Sequence, residues 1–199
     1  MMKVGITGSL ASGKTTASKI LSTGRGPLFS ADAVVKKLYT RNNFKKVIIK
    51  NFNLKKSSNI KKLMREKIAD DRSNIQKLEK IIHPLVRKEM QKFIKRNSKK
   101  KFIFLEIPLL IESNLMNIFD IIFYIKAKKF IRFKRFNLKG GKKLTFNILN
   151  SKQLSDTKKA KYCDHVIVNE KNIKILKKNL LDIFKRYEWN IFRHRDNWS

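Results

Sequence analysis

GSLASGKT, residues Gly8 to Thr15, is the stretch of sequence that decides the fold of this chain. It fits the pattern G-x-x-x-x-G-K-[ST] of phosphate-binding loops. The apolar run Val4-Gly5-Ile6 comes just before it, and a helix-compatible stretch, residues 16–21, follows it. A strand, a glycine-rich loop and a helix in this order are the context that the motif requires, so the pattern predicts a P-loop.

Such a loop has the chemistry to bind a nucleoside triphosphate. Glycines admit backbone angles that let successive N–H groups turn toward one phosphate, and the helix that follows adds the positive end of its dipole. Lys14 would reach the β- and γ-phosphates, and the Thr15 hydroxyl would ligate Mg²⁺. The alternative is a glycine turn that binds nothing. We predict ATP and Mg²⁺ as cofactors, with ATP held by Gly8, Ala11, Ser12, Gly13, Lys14, Thr15 and Thr16.

The charge of the chain invites a second interpretation. There are 48 basic and 15 acidic residues among 199, a net charge of +33. That excess is typical of nucleic-acid binding, but the lysines are scattered and no groove-reading motif accompanies them. The bias toward Lys, Asn, Ile and Phe is what an AT-rich genome would produce. We therefore do not expect nucleic acid as a partner, although the charge should help to recruit anionic nucleotides.

Composition also bears on where in the cell the protein is expected to be found. We find no run of about 18 apolar residues, and therefore expect no membrane span. The start, Met1-Met2-Lys3-Val4, leads directly into the first strand and leaves no room for a signal peptide. One cysteine, Cys163, excludes an intrachain disulfide and fits a reducing cytoplasm. The sequence gives no indication of the oligomeric state.

Short apolar runs alternate with helical patterns, which predicts an α/β fold: a single P-loop NTPase domain over residues 1–199, a three-layer sandwich with a parallel sheet. A long polar region, about residues 36–98, suits an all-helical insertion that binds the acceptor substrate. A basic segment, about residues 128–151, is predicted to be a short mobile lid. A helix is expected over residues 173–187, and the tail 188–199 receives no role. The predicted strands are Lys3–Thr7, Pro27–Ser30, Phe102–Glu106, Ile121–Ile125 and His165–Val168.

Two acids follow predicted strands. Asp32 comes just after the second strand, where a carboxylate can accept a proton from an attacking hydroxyl or help to hold Mg²⁺. It could equally be the N-cap of the next helix. Glu106 ends a buried strand, as the Mg²⁺-binding acid of a Walker-B strand does. The alternative for Glu106 is an acid that faces solvent.

Two arginines of the lid segment are candidates for neutralising charge in the transition state. Arg132 and Arg135 are three residues apart on a predicted helix and therefore share a face. Arginines on a closing lid stabilise the transferring phosphoryl group. A solvated basic face is the alternative.

Together these motifs resemble the dephospho-coenzyme A kinase family, over about residues 3–185. The run Glu106 to Glu112, EIPLLIE, is the most discriminating piece, because it is close to the family's acid-hydrophobic-PLL-x-E run. Other matches are the P-loop itself, SAD at residues 30–32 for the family's DAD, and His83-Pro84, which closes a helical pattern. Gln153 after the lid and the segment CDHVIVN at residues 163–169 complete the series.

The resemblance implies a reaction and several roles. The reaction is ATP-dependent phosphorylation of the ribose 3′-hydroxyl of dephospho-coenzyme A, the last step of coenzyme A synthesis. Asp32 would be the catalytic base, with Lys14, Arg132 and Arg135 completing the catalytic set. His83, Pro108 and Leu109 would meet the acceptor together with Asp32, and Asn169 would lie near the adenine. The metal site would comprise Thr15 and Glu106.

Other functions remain open at the level of sequence. A nucleoside monophosphate or shikimate-type kinase shares the loop but lacks the PLL-x-E run, and a nucleic-acid-binding NTPase is the alternative from a different class. The chain also departs from the family pattern. Ser30 replaces the first Asp of DAD, Cys163 replaces an alanine, and the lid arginines are three rather than four residues apart. An arginine of the helical region has no clean counterpart other than Lys61 or Lys62.

Overall fold

The strands of the computed structural model form one five-stranded sheet with the order β2-β3-β1-β4-β5. Strand β1 pairs in parallel with β3 on one side and with β4 on the other, and β4 pairs in parallel with β5. The prediction of an α/β fold with a parallel sheet is confirmed. The strands are β1 Met2–Gly8, β2 Leu28–Ser30, β3 Phe102–Glu106, β4 Ile121–Lys126 and β5 His165–Val168.

Helices occupy most of the intervening chain, and a 3₁₀ turn, Met116–Ile118, lies between β3 and β4. Those of the first half are α1 Lys14–Ser22, α2 Ala31–Leu38, α3 Asn42–Phe52, α4 Ile60–Asp70 and α5 Ser73–Arg96. Those of the second half are α6 Lys129–Asn137, α7 Lys143–Ser151, α8 Asp156–Ala160 and α9 Ile173–Arg193.

The structure describes residues 1–55, 57 and 59–193, with side chains as far as residue 189. It divides into two compact units. One comprises Met1–Phe29 and the described residues from Asn97 onward, and the other comprises Ser30–Arg96. Within the described residues, no helix combines the length and the apolar character needed to cross a bilayer.

The core of the sheet-containing unit follows from the alternation of side chains along the strands. Every second residue of β1, β3 and β4 points to one face, where α1 and α9 cover it. The buried cluster on that face comprises Val4, Ile6, Ala17, Leu21, Phe102, Phe104, Ile121, Phe123, Ile125, Ile167, Leu176, Leu180 and Phe184. On β1, a Cβ added to Gly5 would lie 3.0 Å from atoms of Leu110 and Phe119, so the chain that follows β3 packs closely against this strand.

The other unit is built from helices. Its core brings together apolar residues of α2, α3, α4 and α5: Leu38, Phe44, Ile48, Phe52, Ile60, Met64 and Ile82. Ile75 on α5 is also buried, and Leu78, Ile81 and Leu85 pack against this core, so the apolar face expected for this helix does turn inward.

Two helix ends differ from expectation. The pair His83-Pro84 does not close a helix, because α5 continues to Arg96 with Pro84 inside it. An internal proline costs about 3 kcal/mol, and the apolar residues on both sides, Ile82 and Leu85, keep the helix on the core. The last helix runs past residue 187 to Arg193, so Trp189 is helical. Trp198 lies outside the described residues.

Candidate active site

The P-loop has a shape that only glycine permits at two positions. Gly13, the N-cap of α1, has φ +99°, and a Cβ there would lie 2.2 Å from the Nδ2 of Asn169. A Cβ on Gly8 would lie 2.4 Å from the carbonyl oxygen of Ile125. Both distances are shorter than van der Waals contact, so the loop packs its backbone directly on its surroundings.

Side chains from outside the loop fix the orientation of its peptide groups. Arg132 donates to the carbonyl of Leu10 (3.3 Å), and the Ser12 carbonyl accepts from Arg135 (3.4 Å) and from Asn169 (2.8 Å). A peptide is planar, so fixing a carbonyl also fixes the N–H of the next residue. The N–H groups that follow Leu10 and Ser12 therefore have set directions, which is what a phosphate-binding loop requires.

The lid segment is a pair of helices that supplies these arginines. Phe133 and Phe136 of α6 pack on the buried ring of Phe146 from α7, at centroid distances of 5.4 and 5.6 Å. Arg132 is only 5% exposed; it also bonds to the Ala127 carbonyl and to the Asn150 side chain. The two predicted lid arginines therefore share a face, and that face meets the P-loop.

Lys14 lies beneath the loop rather than in solvent. It is 8% exposed, and its Nζ donates to the carbonyl of Ser9 at 3.0 Å. That carbonyl also accepts from the Ser12 N–H at 3.1 Å. The ammonium is thus held at the loop by a main-chain carbonyl.

Thr15 and Glu106 form the arrangement expected of a Mg²⁺ site. The Thr15 hydroxyl donates to Oε1 of Glu106 at 2.6 Å. Glu106 is 1% exposed, and among the residues that the structure describes nothing donates to its buried Oε2. A buried carboxylate oxygen without a partner is costly. A hydroxyl and a carboxylate are oxygen ligands of the kind that Mg²⁺ prefers, so the residues present fit this ion.

A cluster that the sequence analysis missed lies beside the loop. Asp156 in the first turn of α8 accepts from the Ser9 hydroxyl and from the Tyr124 hydroxyl of β4, both at 2.6 Å. Burial works to raise the pKa of Asp156, but the two hydroxyl donors and nearby Arg132 hold it below its usual value. Burial and the same carboxylate raise the pKa of Tyr124. No local signal identifies these residues, because they are brought together only by the fold.

A second set of contacts joins the PLL-x-E run to the chain after the lid. Lys159, which is fully buried, pairs with Glu112 at 2.8 Å, and Glu112 also accepts from the Leu154 N–H at 3.1 Å. Gln153 accepts from the Leu10 N–H at 2.9 Å. Glu112 therefore has a structural role, and Gln153 holds the backbone of the P-loop through its hydrogen bond to Leu10.

The acceptor-side candidates occupy different parts of the chain. Pro108 and Leu109 follow β3 and are half-buried, and the Pro108 carbonyl accepts from the Thr7 hydroxyl at 3.2 Å. His83 lies half-buried on α5 of the helical unit. Thr16 lies in the first turn of α1.

Asp32 is exposed in the first turn of α2, directly after β2. It is not the N-cap of that helix. Ser30 is the cap, and its hydroxyl accepts from the Ala33 N–H at 3.4 Å. The alternative prediction that Asp32 caps the helix is therefore wrong, because α2 begins at Ala31 and Asp32 lies inside its first turn. Ser30, a residue type favoured at this position, does the capping instead.

The fold and the loop place this protein in the P-loop class of nucleotide-binding proteins. The sequence profile of the family described as CoaE, dephospho-CoA kinase, matches residues 2–174, and the chain belongs to that family.

Relatives of similar length support the assignment. A dephospho-CoA kinase of Bartonella henselae is 30% identical over 190 residues, covering 93% of this chain and 97% of the relative. One of Bartonella quintana is 33% identical over 178 residues, covering 87% and 91%. The crystal structure of TT1252 from Thermus thermophilus has the same fold, with a TM-score of 0.74, 23% identity and coverage of 93% and 97%.

Proposed function

We propose that this kinase transfers the γ-phosphoryl group of ATP to the ribose 3′-hydroxyl of dephospho-coenzyme A, giving coenzyme A and ADP. The observation that carries the proposal is the match to the dephospho-CoA kinase family across residues 2–174. The P-loop with its Thr15–Glu106 contact supplies the chemistry that such a transfer needs.

In this reaction the oxygen of the 3′-hydroxyl forms a bond to the γ-phosphorus, and the bond from that phosphorus to the β-γ bridging oxygen breaks. Asp32 accepts the proton of the hydroxyl. Its exposure and its place after β2 support this role, since ligands of open α/β sheets bind outside the carboxyl ends of the strands. Lys14 neutralises charge that develops on the phosphates.

Mg²⁺, when bound, would offset phosphate charge, and Thr15 and Glu106 would hold it. Arg135 is the better placed of the two lid arginines to reach the triphosphate. It is only half-buried, and it makes a long contact of 3.4 Å to Ser12. Arg132 would act on the loop through the carbonyl of Leu10.

The helical unit has a cavity of about 510 Å³, and the proposed acceptor residues Asp32 and His83 are not among its lining residues. Its volume falls within the range usual for small-molecule sites. Its lining combines apolar side chains with amide and guanidinium groups, which suits an acceptor with an alkyl-amide arm. The apolar lining residues are Leu38, Phe44, Val47 and Leu85, and the polar ones are Arg41, Asn42 and Asn43.

The test is ADP release with Mg²⁺-ATP and dephospho-coenzyme A, with the product mass checked for one added phosphate. We expect turnover with this acceptor and none with AMP, dTMP or shikimate. Asp32→Asn should lose most of kcat while ATP binding persists, because the amide cannot accept the proton. Near-native turnover of Asp32→Asn would rule out its role as base, and turnover with another acceptor would rule out the proposed substrate.

A further inference from the structure

The cluster formed by buried Ser9 and Tyr124 with half-buried Asp156 is not explained by the proposed reaction. Its three residues come from the P-loop, from β4 and from α8. Ser9 is 2% exposed and Tyr124 is fully buried. Polar groups buried to this extent are normally hydrogen-bonded, and a satisfied polar network makes its surroundings rigid.

The protons of this cluster can be accounted for. Each hydroxyl has one proton, and Oδ1 of Asp156 lies 2.6 Å from both hydroxyl oxygens. With the carboxylate ionised, both protons point to it. The 3.0 Å contact between Ser9 and Tyr124 then holds no proton of its own. Asp156 is therefore the acceptor that holds both hydroxyls.

Ser9 connects this cluster to the phosphate-binding lysine. Its side chain is held by Asp156, and its main-chain carbonyl accepts from Nζ of Lys14 at 3.0 Å. A shift of Ser9 would move this carbonyl and the ammonium with it. Positioning at this scale matters, because a displacement of about 1 Å in an active site can cost about a hundredfold in rate.

We propose that Asp156 is a positioning residue of the ATP site, which sets the place of the Lys14 ammonium through Ser9, with Tyr124 fixing the carboxylate. This inference rests on the proposed function only in requiring that the loop binds ATP. Through the Asp156–Ser9 hydrogen bond, α8, which follows the lid segment, is connected directly to the P-loop. A change in the position of α8 would thereby be transmitted to the phosphate site.

The test is equilibrium binding of Mg²⁺-ATP, measured without any acceptor, for four variants. Asp156→Ala removes the acceptor atom and should weaken ATP binding about tenfold, the usual range for one lost charge-assisted hydrogen bond. Asp156→Asn keeps Oδ1 and should bind ATP more tightly than Asp156→Ala. Tyr124→Phe removes one donor and should weaken binding about threefold.

Tyr187→Phe is the matched control. It also deletes a tyrosine hydroxyl that contacts a side chain of the same unit, at 2.5 Å from Nε2 of His165. That histidine packs on the ring of Phe123, at a centroid distance of 5.1 Å, and Phe123 belongs to the core cluster that α9 covers. We expect ATP binding of this control to match the wild type, while its melting temperature falls.

Kinetics give a second readout. The KM for ATP should rise in Asp156→Ala and Tyr124→Phe, while the KM for the acceptor stays unchanged. Wild-type ATP affinity in both variants would overturn the inference. So would an affinity that falls in all four variants, the control included, in proportion to lost stability. A wild-type protein that binds ATP but leaves dephospho-coenzyme A unchanged would contradict the proposed function alone, and the ATP titrations would still decide the role of Asp156.

Discussion

Replacing Glu106 by Gln should make the protein more stable and less active. The side chain is 1% exposed, and within the described part of the chain its Oε2 accepts no hydrogen bond. Glu106→Gln preserves the shape of the side chain, and the new amide keeps an oxygen for the Thr15 hydroxyl. The substitution therefore removes a buried charge and retains the one contact that it makes.

The size of both effects follows from this environment. A buried polar atom without a partner costs about 1–3 kcal/mol, and more where it is charged. The neutral amide still lacks one partner, so we expect a net gain of about 1–2 kcal/mol in the free energy of unfolding. For a chain of 199 residues this raises the melting temperature by about 2–8 °C. Loss of the carboxylate should weaken Mg²⁺ affinity or activity by about 10- to 100-fold.

Thermal unfolding without nucleotide or Mg²⁺ measures the first effect, and a Mg²⁺ titration of ADP release measures the second. Glu112→Gln is the matched control, because its carboxylate is paired with fully buried Lys159 at 2.8 Å. The same chemical change there leaves a buried ammonium without its counter-charge. It should destabilise the protein by about 3 kcal/mol.

Two results would refute this reasoning. A lower melting temperature for Glu106→Gln would mean that the charge is compensated in the folded protein. Unchanged activity, with an unchanged Mg²⁺ requirement, would mean that the carboxylate has no part in the metal site.

Three further predictions concern the loop and its surroundings. Gly13→Ala should abolish measurable ATP binding in a titration, since φ is +99° and the new Cβ would meet Asn169 at 2.2 Å; tight binding would contradict the loop geometry. Arg135→Ala should lower kcat about a hundredfold with little change in melting temperature, whereas Arg132→Ala, which vacates a buried site, should lower the melting temperature by several degrees. Equal effects of the two would contradict their different roles. The pKa of Asp156 is lowered in the folded protein, so its contribution to stability is complete above its unfolded value of about 3.8 and is lost as the pH falls through the lower folded value. Denaturant unfolding between about pH 5 and about pH 2 should show a smaller acid loss for Asp156→Asn, and an identical pH profile would refute the linkage.

The sequence predicts those parts of the fold that depend on local pattern. The strand, loop and helix around the P-loop and the apolar face of α5 are examples, because periodicity and glycine placement are local properties. Helix ends were predicted less well. Ser30 and Asp32 are both good capping residues, and only the backbone of the folded chain selects Ser30. Pro84 suggests a helix end, but tertiary packing outweighs its cost.

The site was predictable only in part, for a different reason. Lys14 and Thr15 belong to one motif, whereas the partners of Ser9 lie 115 and 147 residues away along the chain. Nothing in the local sequence around Tyr124 or Asp156 indicates these contacts. Lys159, the fully buried partner of Glu112, could likewise not be distinguished in the sequence from the many exposed lysines.

The central place of β1 has a consequence for synthesis of the chain. Met2 pairs with Phe102, so β1 leaves the ribosome about 100 residues before its neighbour β3. At about 5–20 residues per second, that interval lasts about 5–20 s. The whole of the helical unit, Ser30–Arg96, is made during this time, while the apolar residues of β1 wait for the two strands that flank them. The nascent chain therefore lacks the partners of an apolar strand until β3 and β4 are made, and its rate of translation sets how long that strand stays unpaired.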